Sequence, residues 1–257
     1  HLNIGFRHLM PAFPGLFLIC AGGFRQLHLN SKRLVRIIPP LLAVYCALEA
    51  ARTGSAQLSY FSPFYGGSRE GFRHLVDSSL DWGQDFDRIR SGLEKNGVAT
   101  DGSDKVFIAY FGSNLLDMPR RFPYRIVTVS MCGQMDKNFY ELTDGVYCIS
   151  ATVLQGIDIP VGVPLPPSRE TVEKFKRSFY ILLDRQTKMG DAMWDGLSEQ
   201  ERNKLLKDAY HFQLLRFEAL RRVLVRVEPD FFIGDSILAY RLSDSDMKSV
   251  IGEEYRR

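Results

Sequence analysis

Two uncharged, proline-bearing runs near the start of the chain constrain its folding more than anything that follows. Leu9 to Phe24 reads LMPAFPGLFLICAGGF, and Ile37 to Leu48 reads IIPPLLAVYCAL. Between them lies a basic stretch with Arg25, Lys32, Arg33 and Arg36. A helix crossing a bilayer needs about 20 apolar residues. The first run reaches that length from Phe6 to Phe24, and the second from Leu34 to Ala51. Pro11, Pro14, Pro39 and Pro40 argue against helices of a water-soluble core, where an interior proline costs about 3 kcal/mol. Membrane helices tolerate proline because neighbouring helices re-satisfy the freed backbone groups. The expectation is two N-terminal transmembrane helices followed by a mixed α/β soluble domain.

Cytoplasmic loops retain Lys and Arg. The Arg25–Arg36 loop is therefore expected to be cytoplasmic, and everything after Arg52 extracytoplasmic. A secretory signal peptide is disfavoured, because the basic cluster follows the first apolar run instead of preceding it. The chain opens on His1 just ahead of an apolar segment. The expectation is a fragment of a larger membrane protein whose upstream helices supply partners for these two. Residues 1–53 are assigned to the helical pair, 54–74 to a membrane-exit linker, 75–242 to the α/β domain and 243–257 to a polar tail.

Forty-five per cent hydrophobic and 25% charged residues match a globular average, so the apolar runs are diluted by a soluble part long enough for one core. Net charge is +3, with no dense basic face interleaved with aromatics. Nucleic acid is not an expected partner. Cys20 and Cys46 lie in the apolar runs. Cys132 and Cys148 are either a disulfide pair on the extracytoplasmic side or two separate thiols. No spacing suggests a zinc site.

Asp81 is a good N-cap, and Gln84 three residues later completes a capping-box pattern. Phe86, Ile89 and Leu93 follow at helical spacing, and Asn96-Gly97 closes the helix. Lys105–Gly112, Arg125–Val129, Val146–Val153 and Ser236–Leu242 read as strands. Asp158–Pro167, with four prolines, reads as an extended crossover. Ser168 caps a helix that buries Val172, Phe175, Phe179 and Leu182. Ser198 caps another running to Val227 before Pro229. The tail from Ser243 reads as frayed.

Two places carry possible chemistry. Asp77 to Asp87, DSSLDWGQDFD, gathers four carboxylates and a tryptophan in eleven residues. It suits a divalent cation bound by carboxylate oxygens, although the spacing is not that of an EF-hand. It also suits a sugar platform, with Trp82 stacking on the ring and Asp77, Asp81, Gln84 and Asp85 bonding its hydroxyls. A purely structural role is the third reading, with Asp81 as cap and Asp85 and Asp87 favouring a helix N-terminus. Arg7 and His8, beside the first apolar run, suit either a lipid phosphate or plain interfacial anchoring. No cofactor is called for, and a divalent metal stays open.

Three sets of strings carry a family resemblance. Gly5-Phe-Arg-His-Leu-Met-Pro-Ala-Phe-Pro resembles the G-x-R-[HY]-L-x-P-x-x-P start of a late transmembrane helix in polytopic GT-C glycosyltransferases. These are the dolichyl-phosphate-mannose protein mannosyltransferase and aminoarabinose transferase-like proteins. Gly71-Phe-Arg-His-Leu-Val-Asp-Ser-Ser-Leu-Asp-Trp-Gly-Gln-Asp resembles a Y-L-V-D-S-N-L-D-W-G-Q-D-L segment of a bacterial branch, with Ser79 where that pattern has Asn. Ala109-Tyr-Phe-Gly, Ile149-Ser-Ala-Thr-Val-Leu-Gln-Gly and Ile233-Gly-Asp-Ser-Ile-Leu-Ala-Tyr-Arg-Leu follow in the same order. The resemblance covers about residues 3–242. It implies part of an integral membrane enzyme of the bacterial cytoplasmic membrane. Such an enzyme would move a sugar from a polyprenyl-phosphate donor to an extracytoplasmic acceptor. The family's catalytic carboxylate sits in a first outer loop that this sequence does not contain, so no Asp here inherits that role. Arg7 would help to hold the donor phosphate. The competing expectation is a membrane-anchored, non-catalytic module that binds glycan or protein.

Overall fold

The computed structural model describes residues 10–30, 33–53, 58–74, 80–111, 124–126, 139–156 and 168–251. The chain divides into two compact units, residues 1–80 and 81–257.

In the first unit, a short 3-10 turn at Met10–Ala12 leads into helix α1 (Phe13–Asn30), and α2 follows at Arg33–Thr53. Pro39 and Pro40 lie inside α2 without ending it. The sequence expectation of two transmembrane helices is not supported. Among the described residues no helix is long and apolar enough to cross a membrane. α1 closes on the polar string RQLHLN, and α2 carries Arg33, Arg36, Glu49 and Arg52 within its 21 residues. Both helices nevertheless expose much of their apolar surface, including Phe17, Leu18 and Ile19 on α1 and Leu41, Leu42 and Leu48 on α2. Two 3-10 turns, Pro63–Tyr65 and Ser68–Arg73, complete the described part of this unit.

The second unit is mixed α/β, as its sequence suggests. Its five strands are β1 (Val106–Ala109), β2 (Arg125–Ile126), β3 (Gly145–Ser150), β4 (Phe231–Ile233) and β5 (Ile237–Leu242). They form one sheet in the order β2-β1-β3-β5-β4. β1 runs parallel to β2 and β3, whereas β5 pairs antiparallel with β3 and β4. Every residue of β1 is buried, which explains its continuous apolar reading. Side chains alternate across the sheet. Val106 and Ile108 pack with Phe86, Ile89, Leu93 and Ile233 on one face. On the other face Phe107 stacks on Tyr147, with centroids 4.5 Å apart.

Helices α3 (Ile89–Lys95), α4 (Ala151–Leu154), α5 (Arg169–Met189), α6 (Glu199–Leu224) and α7 (Asp244–Val250) surround the strands in sequence. α5 and α6 pair through Val172, Phe175, Phe179 and Leu182 against Ala209, Phe212 and Leu215. Their caps are those the sequence suggests. The Ser168 hydroxyl accepts from Thr171 N–H, and Ser198 forms a full capping box with Glu201. Gly97 closes α3 in the left-handed region.

Four expectations change. The third strand stops at Ser150 instead of Val153, because the Ser150 hydroxyl accepts from Phe111 N–H and Ala151 N–H donates to Ser236 O, turning the chain into α4. α6 ends at Leu224, three residues early. The tail from Ser243 is not frayed through its first turns, since Ser243 and Asp246 make a capping box for α7. β4 has no counterpart in the sequence reading, because it is only three residues long and runs directly into the Gly234-Asp235 turn. Residues 127–129 and the 158–167 crossover lie outside the described residues. Cys148 is a free thiol, and burial pushes its pKa up to about 12. Cys132 lies outside the described residues.

Gly156 ends α4 at φ +78, and a Cβ there would sit 2.8 Å from the Arg221 guanidinium carbon. That guanidinium donates to Leu154 O and bridges both oxygens of Glu218. Replacing Gly156 with alanine is expected to destabilise the protein by about 1–3 kcal/mol, through backbone strain and displacement of Arg221. A urea unfolding curve checks this, and an unchanged midpoint would contradict it.

Candidate functional site

The DWGQD string forms a turn at the carboxyl ends of the parallel strands. β1 has β2 on one side and β3 on the other, so the chain order β1, β2, β3 crosses over β1. In open α/β sheets, such a reversal is where ligands settle, outside the carboxyl ends of the strands. Tyr110 and Phe111 leave β1 there, Ser150 leaves β3, and the Gly234–Ser236 turn joins β4 to β5 beside them.

Asp85 ties the turn to the sheet. Its Oδ2 accepts from Asp235 N–H and Ser236 N–H, both at 3.0 Å, and from the Ser236 hydroxyl at 2.9 Å. Its Oδ1 accepts from Arg88 at 3.1 Å. Gly234 makes this approach possible, since it lies at φ +62 and a Cβ there would fall 2.1 Å from the Asp85 carboxyl carbon.

Asp81 is fully buried. Its Oδ1 accepts from Gly83 N–H at 2.9 Å, closing an Asx-turn, while Oδ2 is buried without a hydrogen-bond partner. Burial pushes its pKa up to about 6; the Gly83 N–H and the nearby Ser150 hydroxyl oppose the shift, and the Asp85 charge adds to it. The expectation that Asp81 caps a helix is therefore corrected. The helical turn begins at Phe86, with Asp85 at the cap position, and Gln84 bonds Trp82 N–H at 2.8 Å within the turn itself. A Gly at position 83 with φ +84 lets the chain fold back before a helix can start.

Trp82 is the member of the string that faces out. Its side chain is 53% exposed and meets Phe111 edge to face, with centroids 6.3 Å apart. The Tyr110 and Thr152 hydroxyls are buried without partners. Burial, then the charges of Asp81 and Asp85, raises the Tyr110 pKa far above its usual value, so it stays a neutral donor.

The structure thus brings Asp81, Trp82, Gln84 and Asp85 together in one turn. Arg7, His8 and Asp77 lie outside the described residues. Among the described residues, no group of three or more His, Cys, Asp or Glu side chains is placed to hold a metal ion, and both Asp85 oxygens are taken by protein donors. Ser150, Ser236, Gly234, Tyr110 and Phe111 are site residues that the sequence reading missed. Asp85 and Ser236 are 151 positions apart, and no local periodicity connects them. No protein-family model matches the chain, and neither the curated proteins nor the solved structures searched contain a match.

Proposed function

We propose that the chain forms part of a membrane glycosyltransferase using a polyprenyl-phosphate sugar donor, and that residues 81–257 hold a saccharide on the extracytoplasmic side. The exposed Trp82 carries this reading. Three side chains of the turn, Asp81, Gln84 and Asp85, spend hydrogen bonds on holding its backbone in place. A rigid, half-exposed indole suits the apolar face of a pyranose ring, and a preorganised platform loses little entropy on binding. The apolar residues that α1 and α2 expose suit contact with a bilayer.

A second reading, an anchored glycan-binding module without chemistry of its own, is favoured by one observation. The turn's two buried carboxylates are committed to the fold, with Asp85 fully bonded and Asp81 closed off from solvent. Sugar transfer from a polyprenyl-phosphate donor by membranes carrying the protein would separate the two readings.

Both readings predict that Trp82→Ala weakens saccharide binding by about tenfold, the equivalent of about 1.4 kcal/mol of stacking, with the unfolding midpoint little changed. Titration of an oligosaccharide panel into the full chain checks this. Equal affinities for the two proteins would remove Trp82 from the site.

A further inference from the structure

We propose that the Pro63–Tyr65 turn is an aromatic finger that inserts into the interface of a lipid bilayer. The proposal rests on the membrane association proposed above for the same unit, but places a separate contact outside its helices.

Phe64 is 85% exposed, more than any other large apolar side chain among the described residues. Tyr65 is 63% exposed, and Leu58 and Tyr60 are also open to solvent. Four such groups within eight residues make a patch, not scattered exposure.

The turn is built to hold them out. Tyr65 N–H and Gly67 N–H both donate to Ser62 O, at 2.9 and 3.2 Å, and Gly66 N–H donates to Pro63 O at 3.2 Å. The Ser62 hydroxyl accepts from Phe64 N–H at 3.4 Å. Gly66 turns the chain at φ +93, where a Cβ would fall 2.5 Å from Glu70 Cγ. Behind the finger, the Phe61 and His74 rings stack 5.3 Å apart, and Tyr65 meets both edge-on. The tip is therefore fixed at its base and open at its end.

Three observations select lipid as the occupant. The finger follows α2 by ten residues in a unit whose helices already expose apolar side chains. Tyr60 and Tyr65 combine an apolar ring with a polar tip, the pairing that settles at headgroup level. Arg69 and Arg73 against the lone Glu70 leave the adjoining turn with one net positive charge, which complements anionic headgroups.

Site-specific quenching in the full chain tests this. Cys20, Cys46 and Cys132 are replaced by serine, leaving the buried Cys148. Single bimane probes are then placed by Phe64→Cys, Tyr65→Cys or Leu41→Cys, and the protein is reconstituted in phosphatidylethanolamine–phosphatidylglycerol vesicles. Lipid brominated near the headgroup is expected to dim the probes at 64 and 65 about twofold, because interfacial groups lie about 5–10 Å into the boundary. Aqueous iodide should dim them little. The position-41 probe reports on the helical pair alone. If it is quenched by brominated lipid while 64 and 65 respond only to iodide, the finger is overturned and the membrane reading stands. If none of the three responds to lipid, both fall. Protection of the 64 probe from iodide by soluble oligosaccharide, without lipid quenching, would make the finger a sugar contact and also overturn the proposal.

Discussion

Replacing Asp85 with alanine is expected to lower stability by about 3–5 kcal/mol, enough to unfold a marginal domain. The carboxylate receives four hydrogen bonds, three of them from Asp235 and Ser236 across the sheet edge. Ser236 is buried, so its N–H and hydroxyl would lose their acceptor where water does not replace it. The Arg88 guanidinium would lose this contact as well, but it is partly exposed and the contact contributes little. Urea unfolding measures the loss, and a decrease under about 1 kcal/mol would show that the two turns hold together without the carboxylate. Gly234→Ala is expected to be comparably damaging on its own, because its Cβ would overlap the Asp85 carboxyl group. The two changes should not add. With alanine at 85 the carboxyl group is gone, so only the strain of φ +62 remains at 234, worth about 1 kcal/mol. Full additivity would deny the contact.

Where one short-range rule decides the structure, the residues made it legible. Ser168 and Ser198 stand at helix starts because a hydroxyl satisfies an open N–H, and both caps are present. The β-former-rich apolar run of β1 and the helical spacing on the inner face of α5 were both readable locally. The turn at 80–85 was illegible for a different reason. Its string offers a good capping pattern, Asp81 with Gln84, and that local rule points to a helix. The helix loses because Asp85 is claimed by Ser236, a partner supplied by the fold of the whole unit. The same competition ends β3 at Ser150, whose hydroxyl bonds Phe111 instead of leaving the strand to continue. Trp82 was legible as a feature, but its exposure was not, since burial depends on which neighbours arrive. The apolar helices α1 and α2 sit between these cases. Their helical form followed from composition, whereas the span expected of them is not supported, since among the described residues no helix is long and apolar enough to cross a membrane.

Replacing Asp81 with asparagine is expected to raise stability at neutral pH, by up to about 3 kcal/mol, with almost no effect near pH 4. The sign follows from burial. A carboxyl whose pKa is about 6 in the folded chain, against about 3.9 unfolded, holds its proton more tightly when folded. Its stabilising contribution is complete below about pH 4, declines as pH rises through about 6, and is gone above that. The wild-type protein should therefore lose stability over this window through Asp81, while the Asn variant should not. Asparagine keeps the Oδ1 acceptor for Gly83 N–H and puts an amide where the charged Oδ2 lies without a partner. Unfolding midpoints of both proteins from about pH 4 to about pH 7 isolate the effect, because all other titrations cancel in the difference. A variant less stable than wild type at neutral pH would mean that the ionised oxygen has a partner in solution. Saccharide binding adds a second readout. If Asp81 serves only to shape the turn, the Asn variant should bind as wild type does, with Trp82 still presented. If binding disappears while stability rises, the turn opens on ligand binding and the buried carboxylate itself reaches the sugar.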